Sequence, residues 1–135
     1  MTFRVREATD ADIDTISAIE KASFSDPWPR GGFEPLVRAP HCLFLVGEEK
    51  PGVISAYSVA RWVEDEAEVL NIAVADAQRG RGIGGKLLDY LMGALEKKGI
   101  RHIFLEVNPR LWGSLPLPAD ARARALAELP PHRAL

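Results

Sequence analysis

Apolar positions along this chain recur with two different periods, and the switches between them mark its elements. Phe3 and Val5 alternate with Arg4 and Arg6, the two-residue period of a strand. Thr9-Asp10-Ala11-Asp12 then reads as a helix start, with Thr9 as the cap and an acidic side chain three residues on. Ile13, Ile16, Ile19 and Ala22 follow at helical spacing, which predicts a first helix to about Ala22. Phe24-Ser25-Asp26-Pro27-Trp28-Pro29 is a loop, because its prolines bar a continuing helix. A short helix is expected around Phe33 to Arg38. Strands are predicted at Cys42 to Val46, Val53 to Val63 and Ala67 to Val74, the first turned into the second by Glu49-Lys50-Pro51-Gly52. Connections this short permit an antiparallel meander but no parallel crossover.

The helical period returns after a run of glycines. Leu87, Leu88, Leu91, Met92 and Leu95 share one helical face, so this helix should start near Ile83 and lay its apolar stripe on a sheet. Lys97-Lys98-Gly99 closes it, with basic residues and then glycine. Ile100 to Val107 reads as the next strand. Strand, loop, helix, strand is one βαβ unit, whose two strands are parallel and whose crossover is right-handed. The expected class is α/β, a mixed sheet made of an antiparallel meander and one parallel βαβ unit.

Beyond Asn108 the pattern changes. Leu111-Trp112-Gly113-Ser114-Leu115-Pro116-Leu117-Pro118 neither alternates nor recurs, and Ala119 to Leu129 is Ala/Arg/Leu-rich with helical potential. Residues 1–107 are therefore read as one core and 108–135 as an atypical tail.

Composition narrows the field. A chain of 135 residues with 47% hydrophobic and 27% charged residues is one globular domain of ordinary make-up. A net charge of −2 gives no general attraction to nucleic acid or to a membrane surface, so neither is an expected partner. The single Cys42 cannot form an internal disulfide and fits a reducing compartment. His41, His102 and His132 show no metal-ligand spacing with it, and no metal is expected. Met1 to Phe24 is amphipathic and acidic rather than apolar, so no signal peptide is expected. No apolar run approaches the ~20 residues of a membrane span, and a cytoplasmic protein is the expectation.

The chemistry concentrates in Gln78-Arg79-Gly80-Arg81-Gly82-Ile83-Gly84-Gly85-Lys86. Its four glycines let the backbone turn tightly and approach a ligand closely. The helix start behind them offers unpaired N–H groups and the positive end of a dipole, and Arg79 and Arg81 add charge, so the segment is a phosphate-binding loop. Gly80-x-x-x-x-Gly85-Lys86 approaches a nucleoside triphosphate P-loop. That chemistry needs Ser or Thr next, to hold magnesium, and Leu87 stands there. Gly80-x-Gly82-x-x-Gly85, with Glu106 about 20 residues on, matches a dinucleotide fingerprint. In that fold the glycine turn follows its strand almost at once, whereas Ala75 to Arg79 intervenes here and only one βαβ unit exists. A glycine-rich turn with no ligand is the remaining plain alternative.

Arg79-x-x-Gly82-x-Gly84 after an Ile-Ala-Val strand resembles the acetyl-coenzyme A loop of the GCN5-related N-acetyltransferase (GNAT) family. The order of elements to Val107 is also similar to that fold. Within the family, Phe24-Ser25-Asp26-Pro27-Trp28-Pro29 resembles the Phe-Pro-Trp loop of RimI-type enzymes, which acetylate the N-terminal alanine of a small-subunit ribosomal protein. Glu66 to Val74 is similar to their Glu-Leu-Leu-Asn-Ile-Ala-Val strand, and Phe104-Leu105-Glu106-Val107 to their Trp/Phe-Leu-Glu-Val.

The resemblance implies acetyl-CoA as co-substrate, with backbone groups of Ile72, Ala73 and Val74 holding its acetyl-pantetheine arm. It implies that Arg79, Gly80, Arg81, Gly82, Ile83, Gly84 and Gly85 hold its pyrophosphate. The partner implied is a ribosomal protein or other protein N-terminus; a small-molecule amine is the rival acceptor. Glu106 matches the family's base, and by alternation it shares a face with Phe104; from spacing alone it is equally a solvated strand-end carboxylate. Glu68 is a second carboxylate for the amine, within an acidic run (Glu64, Asp65, Glu66, Glu68) that otherwise reads as a solvated face. Phe24 and Trp28 either line the peptide groove or staple the loop to the core.

The tail departs from the family. Its acid is a Tyr in an Asn-x-x-Ala-x-x-Leu-Tyr helix, and the nearest match here, Asp120-x-x-Ala123-x-x-Leu126-Ala127, puts Ala in its place. The only tyrosines are Tyr57 and Tyr90. The closing strands are missing too, as a change of reading frame would leave them, which implies a catalytically impaired acetyl-CoA-binding protein as the alternative function.

Overall fold

A five-stranded sheet in the order β1-β2-β3-β4-β5 organises the chain, seen in a computed structural model that describes residues 3–24, 26–75 and 82–105. The strands are β1 (Arg4–Glu7), β2 (Cys42–Lys50), β3 (Val53–Val63), β4 (Glu66–Val74) and β5 (His102–Leu105). The helices are α1 (Ile13–Ser23), α2 (Arg30–Arg38) and α3 (Ile83–Lys97). β1 to β4 pair antiparallel, and β4 pairs parallel with β5, Glu66 opposite His102 through Val69 opposite Leu105. The expected meander and βαβ unit are both present.

Strand alternation divides the core between two faces. Leu43, Leu45, Ala56, Ala60, Ile72 and Val74 face α3, which presents Leu87, Leu88, Leu91 and Leu95. Each such leucine contributes roughly 1.5–3 kcal/mol by leaving water. On the other face Phe44, Val46, Tyr57 and Val59 meet Ile13, Ile16 and Ile19 of α1 and Phe33 of α2.

Several boundaries differ from the sequence expectation; β5 begins at His102 rather than Ile100, and β4 at Glu66 rather than Ala67. The opening strand is Arg4–Glu7, one residue later than the Phe3 start of the alternation. α2 begins at Arg30 rather than near Phe33, because Pro29 (φ −66°) sets the entry and accepts the N–H of Gly32 at 2.8 Å; the two glycines that follow hide this start from propensity. β2 continues past Val46 to Lys50 through register shifts at Gly47 and Glu48, which alternation cannot show.

A second irregularity shapes β4. Val59 faces Asn71 but the next residue, Ala60, faces Val69, so Leu70 is an extra residue in the strand. Val69 and Ile72 stay with the α3 face, while Leu70 packs on the α1 face and Asn71 bonds to α1. The bulge thus turns two successive side chains to one side and bends the strand there.

Candidate active site

The site is built where β4 runs out and α3 begins. Gly82 is the N-cap of α3 with φ +78°, a left-handed conformation that favours glycine. Lys86 donates its N–H to the Gly82 carbonyl at 3.1 Å, the first intrahelical bond. The N–H groups of Ile83, Gly84 and Gly85 precede it and have no acceptor within the helix, so the positive end of the α3 dipole lies here. Arg79, Gly80 and Arg81 lie outside the described residues.

Ile72, Ala73 and Val74 lie opposite Ser58, Tyr57 and Ala56 of β3. On the other side of β4, pairing with β5 reaches only Val69 opposite Leu105 among the described residues. From Leu70 to Ala73 no strand lies beside that edge among the described residues. A strand edge of this kind binds an extended, amide-containing chain. In sequence it leads to the start of α3, through residues 76–81, which lie outside the described residues.

On the α1 face, a buried polar cluster underlies this strand. Glu20, in the last turns of α1, is 1% exposed. Its Oε1 accepts the Tyr57 hydroxyl and Asn71 Nδ2, the latter at 2.6 Å, and its Oε2 accepts the Trp28 backbone N–H at 2.8 Å. Asn71 Oδ1 in turn accepts the N–H of Ile72 at 3.2 Å. Burial, reinforced by the bond to Glu20, pushes the Tyr57 phenol well above its usual range. Tyr57 is therefore held as a neutral donor, and Tyr90 sits half exposed on α3.

Phe24 and Trp28 are both partly buried. Phe24 packs against both core clusters, and Trp28 packs on the α1-side core with its ring 5.4 Å from Phe33. The stapling role is met directly. Glu68 corrects the reading of its acidic run as solvated: alternation along β4 turns it inward, to 8% exposure, opposite Phe104 of β5 and Arg61 of β3. Glu106 lies one residue beyond β5, outside the described residues. The Asp120 to Ala127 segment lies outside them too.

The structure thus brings together the Ile72–Val74 strand, the Gly82–Gly85 helix start and the Phe24–Trp28 loop. Sequence reasoning missed Glu20 and Asn71 as partners. Glu20 stands between Ile19 and Lys21 and looks like an ordinary polar helix position; the one available signal was that its spacing from Ile13 and Ile16 leaves it on the apolar face. Among the described residues no three His, Cys, Asp or Glu side chains gather as a metal site, and no helix is long and apolar enough to cross a membrane.

The chain is similar to known proteins in sequence and in fold. The family model of the acetyltransferase (GNAT) family matches residues 13–113. A Bacillus subtilis protein named putative ribosomal protein bS18-alanine N-acetyltransferase is 34% identical over 105 residues, 77% of this chain and 69% of its own length. The Escherichia coli K12 ribosomal protein bS18-alanine N-acetyltransferase is 30% identical over 97 residues, 72% of this chain and 64% of its own. The crystal structure of the ribosomal-protein-S18-alanine N-acetyltransferase from Escherichia coli superposes with a TM-score of 0.73 at 25% identity, covering 93% of this chain and 76% of that one. The aligned part of this chain therefore spans about two thirds of the length of these relatives.

Proposed function

The chain belongs to the acetyltransferase (GNAT) family, and from that premise we propose that it moves the acetyl group of acetyl-CoA to a protein α-amino group, the N-terminal alanine of a small-subunit ribosomal protein. The observation that carries the reading is the end of β4–β5 pairing at Val69 among the described residues, on a strand that continues in sequence toward the glycine-capped start of α3. The edge suits the amide-bearing pantetheine arm, held by Ile72, Ala73 and Val74. The helix start, with Gly82 to Gly85 and the charges of Arg79 and Arg81, suits the pyrophosphate. The names of the relatives supply the acceptor.

The chemistry asks little of the protein as a base. An α-amino group has a pKa near ~8, so part of it is neutral at physiological pH. Its nitrogen lone pair attacks the acetyl carbonyl carbon, and the resulting oxyanion is stabilised by preorganised donors. The carbon–sulfur bond then breaks, the nitrogen gives up a proton and the thiolate leaves. Glu106 takes that proton, directly or through water, and Glu68 draws the amine toward the site. Phe24 and Trp28 border the groove that receives the peptide.

A second reading is an acetyl-CoA-binding protein impaired in catalysis. It is favoured by the tyrosines: Tyr57 is committed to Glu20 and Tyr90 stands half exposed on α3, while the nearest sequence match to the family's acid-bearing motif has Ala127 where Tyr is expected. In the first reading water protonates the thiolate. The deciding experiment is isothermal titration with acetyl-CoA, paired with free-thiol release on adding an alanine-starting ribosomal peptide. Binding with thiol release supports the enzyme, binding without release the second reading, and no binding by folded protein sinks both.

A further inference from the structure

One buried carboxylate takes no part in this chemistry, yet it bonds to β3, to β4 and to the loop at Trp28. Glu20 holds both ends of the acceptor-side loop. Its backbone carbonyl accepts the Phe24 N–H at 3.0 Å, and its Oε2 accepts the Trp28 N–H at 2.8 Å. Its other oxygen is held by the Tyr57 hydroxyl and by Asn71 Nδ2, and the same Nδ2 lies 3.1 Å from the Tyr57 oxygen. Asn71 follows the bulged Leu70 and precedes Ile72, whose N–H it accepts.

Packing alone does not account for this residue. A buried charge is costly, and an apolar side chain of similar volume commonly serves stability as well or better. No Arg, Lys or His pairs with Glu20 among the described residues; its carboxyl oxygens are met by neutral donors from three separate segments. Charge-assisted bonds are short and directional, which suits them to fixing distances. The β4 bulge is what makes the link possible, because it turns Asn71 toward α1 at the point where the strand edge opens.

We propose that Glu20 is a positioning residue that sets the distance between the Phe24–Trp28 loop and the Ile72–Val74 strand, so that acceptor amine and acetyl group meet at attack distance. The proposal rests on the acetyl-transfer reading above. Glu20 touches neither substrate; it acts through Trp28 and Asn71. Misplacement of about an ångström costs reactions of this kind up to roughly 100-fold.

Glu20→Gln tests it, since Gln keeps the volume and loses the charge. Against wild type, the variant should hold its acetyl-CoA Kd within about twofold, raise the KM for an alanine-starting peptide about tenfold, and exchange the Trp28 amide proton faster. A merely structural role would instead weaken acetyl-CoA binding and lower the melting temperature without a selective rise in KM, and that result overturns the proposal. Asn71→Ala covers the case in which Glu20→Gln does not fold, because Asn71 is only half buried and its loss leaves Glu20 bonded to Trp28. A selective KM rise supports the link, and an unchanged KM overturns it. A folded wild type that binds acetyl-CoA but turns over no peptide overturns the transfer reading and this role with it; a turning-over wild type beside an unaffected Glu20→Gln overturns the role alone.

Discussion

Arg6 grips Asp12 with both terminal nitrogens, Nη1 to Oδ2 at 2.8 Å and Nη2 to Oδ1 at 2.9 Å. The fork joins β1 to the turn that launches α1, and Thr9 adds its backbone N–H to Oδ2 at 2.8 Å. Arg6 Nε also reaches Glu48 of β2 at 3.1 Å. Asp12 is nearly buried, so removing its charge strands part of this network. Asp12→Asn should cost about 2–3 kcal/mol in chemical denaturation, through lost bonds to charged groups rather than lost packing.

The same pair sets an acid limit. The hydrogen bonds from Arg6 hold the Asp12 carboxyl below its ordinary value, and those from Arg6 and the Gly52 N–H do the same for Glu48. A lowered folded pKa gives stability that is fully present above the unfolded value near ~4 and is lost as pH falls through the folded one. The melting temperature should therefore be insensitive to these groups from about pH 6 to pH 5 and drop below about pH 4. Asp12→Asn should show a shallower drop over that lower range, and parallel curves would refute the assignment.

Gly82→Ala separates conformation from contact. A Cβ at Gly82 would meet no atom of the described residues within 4 Å, so the only penalty is the left-handed φ of +78°. That penalty is about 1–2 kcal/mol. The start of α3 should shift to relieve it, weakening acetyl-CoA binding about tenfold while the melting temperature falls only a few degrees.

Arg79→Ala tests the loop charge. Under the proposed function its guanidinium lies near the pyrophosphate, so acetyl-CoA affinity should fall roughly 5- to 10-fold, an electrostatic loss of about 1–1.4 kcal/mol. The salt dependence of binding should flatten as well, because one screened attraction is gone. An unchanged salt slope would remove Arg79 from the site.

Glu106→Gln tests the chemistry apart from binding. If Glu106 carries the proton, kcat for an alanine-starting peptide should fall about 100-fold or more, with acetyl-CoA affinity unchanged. The residual rate should rise with pH as more of the amine becomes neutral. Equal rates for variant and wild type would make Glu106 a solvated strand-end residue.

Much of this was legible in one dimension. The meander, α3 and the parallel β5 follow from apolar periods, because each face of the sheet is buried by a helix and the pattern must match the pleat. Gly82 was legible as a helix-start glycine for the same local reason. The inward turn of Glu68 was within reach of alternation, yet the acidic neighbours at Glu64, Asp65 and Glu66 masked it.

What the amino-acid order determined by itself is whatever depends on neighbours a few residues away: strand and helix periods, caps, the glycine turn and the charges at the loop. Only the tertiary structure decided the rest. Glu20 meets Asn71 across 51 positions and Tyr57 across 37, distances over which local pattern carries no information. The extra residue at Leu70 that turns Asn71 toward α1 is a matter of register between two strands, and register is settled by the packing of both faces at once rather than by either strand alone.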